Sequence, residues 1–270
     1  MKIEQLKSKI FPEHGNIHVR KRVKFGIDPT GARLHLGHLV PLLVVKDLIA
    51  QRKEITIVLG TFTATLGDPS GVNQTRPVLP FSQVQVNSFA IKSQIEKILG
   101  KVHFVDNHKI ANSMNAAAFI SDVIARFTVQ ELMARENFQD RTVALHELIV
   151  PLMQAMDSIV LDTEIEVGGV DQEINFGLTR KLQQGFGKPP EVCLLTPIIN
   201  GTDGKKMSKS LNNCIFLDEP KEEFRQKVLK TADTTVDEWI KLLVRRSEAP
   251  DDPRDRKEFF VEEITKVCRI

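Results

Sequence analysis

The sequence predicts an α/β protein built on a parallel sheet, and three observations carry that prediction. Short apolar runs alternate with segments of helical period from residue 22 onward. Arg22–Ile27, then a helix from Leu36, then the apolar run Glu54–Leu59 form a βαβ unit, which implies a crossover and parallel strands. From Pro220 to Ile270 only helical patterns recur.

Each element has its own reason. Residues 1–20 read as a short polar helical arm. Arg22-Val23-Lys24-Phe25-Gly26-Ile27 alternates as a strand does, and Asp28-Pro29-Thr30-Gly31 is a turn. The helix from Leu36 runs to Gln51, followed by a buried strand at Glu54–Leu59. Gly60–Pro80, rich in Gly, Thr, Pro and Ser, is a loop of the length that often carries function. Helical period returns at 82–99, at 114–137 and at Ala144–Leu161. A strand at Val102–Val105 separates the first two of these. A strand at Glu164–Val167 runs into the loop Gly168-Gly169-Val170-Asp171-Gln172, and a helix follows to about Gln184. Val192–Leu195 is the last strand. Three short helices complete the chain, with Pro250 and Pro253 separating the last two.

Composition narrows the function classes. Of 270 residues 41% are hydrophobic, enough for a sizeable core. The 37 basic and 35 acidic residues leave a net charge of +2, which excludes a bulk polycation; nucleic-acid contact would need local patches. The three cysteines lack CxxC spacing, so neither a zinc site nor a disulfide framework is expected, and a reducing, cytoplasmic setting fits. The N-terminus has no apolar leader and no run approaches a membrane span of roughly 18 residues. There are 15 Phe and one Trp but no Tyr.

Two segments carry the chemistry. His35-Leu36-Gly37-His38 opens a helix at the carboxyl end of the first strand, where helix N–H groups favour phosphate. The histidines, three apart, share one face of the first turn. Gly37 removes a side chain where a nucleotide could approach. The second segment, Lys206-Met207-Ser208-Lys209-Ser210, ends a Gly- and Lys-rich loop. Together they supply the cations and hydrogen-bond donors that stabilise pyrophosphate as it leaves ATP.

On these motifs the chain resembles the class I aminoacyl-tRNA synthetases, and among them the tyrosyl-tRNA synthetases. The likeness extends to Phe25–Thr30, Phe62-Thr63-Ala64, Gly67-Asp68-Pro69-Ser70-Gly71, Thr128–Arg135 and Gly168–Gln172. It implies a Rossmann-like nucleotide-binding domain over 1–215, with a helical insertion at about 78–145, and a short α-helical C-terminal region over 216–270. It also implies ATP with Mg²⁺, formation of an aminoacyl-adenylate, transfer to tRNA, and a homodimer joined through the Thr128–Phe138 helix. No dedicated protein metal site is implied.

The resemblance also assigns roles. Thr30 and His35 would grip the γ-phosphate; His38 and Gly37 would lie along ribose and adenine. Asp171 would accept the ribose hydroxyls, and Lys206 and Lys209 would close on pyrophosphate. Gly26, Asp28, Gly169, Met207 and Ser208 complete the implied ATP site. Lys24, Asp68, Val150, Gln154, Asp157 and Gln172 form the implied amino-acid site, with Asp157 accepting from a phenolic hydroxyl. Two departures stand out. Val150 and Met156 replace residues that are commonly tyrosine in the family, so one anchor of the substrate ammonium is missing, and Lys24 is placed to pair with Asp157. About 60 residues follow Ser210, so set against the family the resemblance implies a pared-down helical region and leads to the expectation that the last RNA-binding domain is absent. Two readings follow: activation of tyrosine or a tyrosine-like amino acid with transfer to tRNA, or a stand-alone ligase with an altered substrate and a non-tRNA acceptor.

Overall fold

The computed structural model describes residues 17–66, 79–134, 138, 142–245 and 248–269. Five parallel strands form one sheet: β1 Arg22–Ile27, β2 Glu54–Leu59, β3 His103–Asp106, β4 Ile165–Gly169 and β5 Val192–Thr196, in the order β3-β2-β1-β4-β5. The order reverses between β1 and β4, so the carboxyl ends of those two strands open a crevice.

Helix α1 (Leu36–Ala50) follows β1 and is apolar on nearly every face, with Leu36, Leu39, Leu42, Val45 and Leu48 all buried. It is therefore a central helix rather than a surface one. Its start is fixed by its own histidines. His35 Nδ1 accepts from the Gly37 N–H at 3.2 Å, and His38 Nδ1 accepts from the His35 N–H at 3.1 Å. This reciprocal cap satisfies two otherwise orphaned donors.

Helix α2 (Phe81–Leu99) lays Val84, Ile91, Ile95 and Ile98 on the core and braces the turn after β1. Gln94 accepts from the Leu34 N–H and donates to Ala32 O; Asn87 donates to Pro29 O. Helix α3 (Asn107–Ser113) follows β3 and was not expected. Asp106 caps it by accepting from the His108 N–H at 3.0 Å. Because β3 pairs with β2, the part of 78–145 that leaves the sheet layer begins only at Asn107.

The helical period over 114–137 does not produce one helix. It breaks into turns at Ala116–Ala118, Phe119–Val123 and Ile124–Arg126, then extends at Phe127 before Val129–Leu132. The reason is a second cap: Thr128 and Glu131 bond each other's backbone N–H groups, which restarts the helix at Val129. Ile120 and Val129 are left exposed.

Helix α4 (Leu145–Val160) precedes β4, and α5 (Glu173–Gly185) precedes β5. Strand β4 runs further than its apolar pattern suggests. Gly168 and Gly169, read as loop, pair with Leu195 and Thr196 of β5. The closing helices α6 (Lys221–Lys230), α7 (Asp233–Leu243) and α8 (Pro253–Cys268) share the core of the sheet and α1 through Phe224, Trp239 and Phe260. Among the described residues no helix is long and apolar enough to cross a membrane.

Candidate active site

A cleft of about 520 Å³ opens at the β1/β4 crevice, within the range of small-molecule sites. Every site residue expected from the sequence borders it, except Asp68, which lies outside the described residues. Met156 does not: it packs against the second apolar cluster around Leu148 and Leu152.

The first end is built on the cap of α1. His35 and His38 stand with ring centroids 3.9 Å apart. Burial, reinforced by the Lys209 ammonium, lowers the His35 pKa to about 3. His38 is pushed well below its ordinary value by burial, then by His35 and Lys209. Both rings are thus neutral at pH 7. Their Nδ1 atoms accept within the cap, which leaves each Nε2 to carry the proton. The pair supplies hydrogen-bond donors to this end, and the cationic contribution expected of it falls to the lysines.

Gly37 has a reason other than room for a nucleotide. A Cβ there would lie 2.9 Å from His35 Cε1, so the glycine makes space for the ring that caps the helix. At Gly60 a Cβ would lie 1.8 Å from Asp28 Oδ1, the atom that also accepts from Thr63 Oγ1 at 2.7 Å. An added Cβ at Gly26 meets nothing within 4 Å, so β1 presents bare backbone to the cleft there.

The loop after β5 closes the same end. Lys209 Nζ would lie 3.2 Å from a Cβ on Gly31, which places the ammonium over the turn that holds Thr30. Lys206 Nζ stands 3.3 Å from Asp171 Oδ2, half-exposed, a pair worth roughly 0–1 kcal/mol and easily exchanged for a ligand. Met207 is buried in the main core and anchors the loop. Ser208 and Ser210 hydroxyls lie 2.8 Å apart.

The organiser of this loop is Asn213, which is buried. Its Nδ2 donates to Asp203 Oδ1 at 2.7 Å and to Lys206 O at 3.1 Å, while its Oδ1 accepts from the Ser208 N–H at 2.8 Å. Asn213→Ala is expected to release the loop and lower turnover by roughly 10-fold, about 1–2 kcal/mol of lost hydrogen bonding, at nearly unchanged melting temperature. Steady-state kinetics alongside a thermal melt check this.

The second end lies under α4 and is charged. Lys24 and Glu166 face each other across β1 and β4, paired at 3.0 Å and both buried. Lys24 also donates to Gln154 O at 2.9 Å. Burial works against its charge, but Glu166, Glu191 and Asp157 outweigh burial and hold the ammonium above its ordinary value. Burial, and then Glu166, push the Glu191 carboxyl well above its ordinary value. Lys24 therefore pairs with Glu166, where the sequence reading paired it with Asp157. Removing either partner alone would cost roughly 3–5 kcal/mol.

Asp157 is left for another role. Its Oδ2 accepts from Asn107 Nδ2 at 3.4 Å, and its buried Oδ1 has no partner among the described residues. Burial raises its pKa to about 7, against the pull of Lys24 and Asn107. From Glu166 a chain of amides leads back to the cleft mouth. Gln154 donates to Glu166 at 3.0 Å, and Asn175 donates to the carbonyls of both Gln154 and Gln172 at 3.0 and 2.9 Å. Val150 is buried beside them and supplies no polar atom.

Asn107, Asn175, Asn213 and Glu166 were not picked out from the sequence. One signal was available: Lys24 and Glu166 are charges flanked on both sides by apolar residues within strands, and charges buried in central strands must pair.

Comparisons with known proteins identify the family. A family model described as tRNA synthetases class I (W and Y) matches residues 16–267. The tyrosine–tRNA ligase of Carboxydothermus hydrogenoformans is 36% identical over 263 residues, 90% of this chain and 64% of its own. That of Nitrosomonas europaea is 37% identical over 262 residues, 90% and 64%. The chain thus spans about two thirds of the length of these curated relatives. The fold matches the crystal structure of tyrosyl-tRNA synthetase from Aeropyrum pernix with a TM-score of 0.76 at 23% identity, covering 93% of this chain and 84% of that one. The Archaeoglobus fulgidus enzyme complexed with L-tyrosine gives 0.75 at 22%, covering 92% and 88%. With a family model covering almost its full length, and a sheet whose crevice holds both signature segments, the chain belongs to the tRNA synthetases class I (W and Y).

Proposed function

We propose that this chain activates tyrosine or a tyrosine-like amino acid with ATP and transfers it to tRNA. One observation carries the reading: a single cleft runs from His35, His38 and Lys209, past Gly169 and Asp171, to the unsatisfied Asp157. The relatives' printed name, tyrosine–tRNA ligase, supports the same assignment.

In this reading the substrate carboxylate attacks the α-phosphorus, one P–O bond forms, and the bond to the β-phosphate breaks. The products are aminoacyl-AMP and pyrophosphate. Thr30, the His35 and His38 N–H groups, Lys206 and Lys209 stabilise the charge that builds on the leaving phosphates. Gly26, Asp28, Gly169, Asp171, Met207 and Ser208 hold the nucleotide. Lys206 exchanges Asp171 for phosphate as ATP enters, which frees that carboxylate for the ribose hydroxyls. Lys24, Asp68, Val150, Gln154, Asp157 and Gln172 surround the amino acid. Mg²⁺ would accompany ATP, bound by its phosphates, as Mg²⁺ commonly relies on substrate phosphates.

The catalytic unit extends over 1–215, with 216–270 as a helical appendage sharing its core. Exposed Ile120, Val129 and Leu145 support a homodimer contact on the 107–145 side. Three buried free cysteines support a cytoplasmic setting. Aminoacylation of total tRNA with labelled tyrosine tests the transfer step. Label on tRNA, lost on Lys209→Ala, supports the reading. Adenylate formed with no tRNA charged would direct the acyl group to another acceptor.

A further inference from the structure

The lysine loop is held from two sides. The Asn213 side chain binds its tip and its far arm. The near arm, residues 199–201, leads out of β5 and pairs with the far one. Asn200 bridges Lys206, and the Met207 N–H donates to Ile199 O at 3.0 Å. Between the arms, residues 203–206 are exposed and carry no apolar side chain, the kind of segment that opens readily unless its ends are fixed.

The near arm is gripped by helix α7. The Asn200 N–H and Nδ2 donate to Glu238 Oε1 and Oε2, at 3.4 and 2.9 Å. The Asn200 carbonyl accepts from Trp239 Nε1 at 2.8 Å. Helix α7 can bear on the loop because it is itself fixed. Trp239 is fully buried, its rings 5.7 Å from those of Phe260 on α8, and Val236 and Leu243 lie in the same core. An indole N–H only donates, and a buried one needs an acceptor. Here that acceptor is the base of the lysine loop.

We propose that helix α7 is a working part of the adenylation step: Glu238 and Trp239 are positioning residues that, through Asn200, hold Lys206 and Lys209 at the phosphate end of the cleft. None of Asn200, Glu238 and Trp239 borders the cleft, so they act only through the loop. The helical region over 216–270 then contributes to activation itself, before any RNA is engaged. This rests on the reading that the cleft activates an amino acid with ATP.

The consequence is specific to one step. The lysines act on the departing pyrophosphate, so molecules with the loop unseated bind substrate and turn over poorly. The amino-acid end lies under α4, away from the loop, and is not affected.

The chain carries its own reporter. Trp239 is its single tryptophan and there is no tyrosine, so the intrinsic emission comes from the residue that grips Asn200. The test measures that emission, the melting temperature and amino-acid-dependent ATP–pyrophosphate exchange in the full chain. Asn200→Asp removes the Nδ2 donor and sets a carboxylate against Glu238. It is expected to shift the emission and to lower kcat by roughly 10- to 100-fold, with the KM for the amino acid and the melting temperature nearly unchanged. Asn200→Asp/Glu238→Gln exchanges donor and acceptor while keeping one carboxylate in the pair. It is expected to restore the emission and bring kcat back to within about 3-fold of wild type.

An emission shift in Asn200→Asp at unchanged kcat overturns the proposal. So does a fall in kcat with the emission unaltered, which would put the effect elsewhere than this contact. A fall shared by the amino-acid KM and the melting temperature, with no recovery in the double variant, makes the contact a support of the fold alone and overturns it too. Failure of the wild-type chain to exchange with any amino acid sinks the activation reading, and the proposal with it.

Discussion

Lys209→Ala is expected to lower the turnover of ATP–pyrophosphate exchange by roughly 10²–10³-fold, with the KM for ATP changed only a few-fold. The reason is the charge balance at this end of the cleft. Both histidines are neutral, held so by burial and by Lys209 itself. Positive charge must therefore come from Lys206 and Lys209, and Lys206 rests on Asp171. Lys209 stands over Gly31, next to Thr30, where leaving phosphates would lie. An interaction made only as pyrophosphate departs changes kcat rather than ground-state binding. Stopped-flow or exchange kinetics over a range of ATP concentrations separate the two. Loss confined to KM would place Lys209 in ground-state binding instead.

Asp157→Asn is expected to stabilise the ligand-free protein above pH 7 and to leave it unchanged near pH 4. Asp157 titrates at about 7 in the fold, against about 4 in an unfolded chain. A carboxyl with a raised folded pKa binds its proton more tightly when folded. Its contribution is fully present below the unfolded value, near pH 4, and is lost as the pH rises through 7. Above that the ionised, buried group costs on the order of 2–4 kcal/mol, which the amide does not incur. Thermal melts from pH 4 to 9 on both proteins would show the curves parting as the pH rises. Parallel curves would mean that Asp157 is ionised and satisfied in the free protein. The same substitution should abolish discrimination for a hydroxyl tip, so stability and function move in opposite directions, as expected where a site holds an unpaired group for its ligand.

Much of the site's framework was legible because it rests on local signals. Strand β1, the turn after it and α1 lie within one residue of the sequence reading, since alternation, Asp-Pro and a His-capped start are all short-range. The carboxyl-edge placement of His35 and His38 follows from that unit alone. What escaped the sequence depends on distant contacts. Glu166 matters because β4 lies beside β1, bringing it opposite Lys24. Asn175 matters because α5 returns under Gln154, and Asn213 because the loop folds back to Ser208. The neutral state of the histidines needed burial, which periodicity does not report. The 114–137 stretch was misread because its helical period persists across a break made by the Thr128–Glu131 cap. Gly168 and Gly169 read as loop because glycine resembles a turn until a partner strand is known.

The most direct test of the account is amino-acid-dependent ATP–pyrophosphate exchange by the intact chain without tRNA, across the twenty amino acids, with Lys209→Ala as the blank. The account predicts exchange that depends on L-tyrosine or a hydroxyl-tipped analogue, is weak with phenylalanine, and is absent in the blank. Exchange that proceeds equally with phenylalanine, or that survives in the blank, would contradict it.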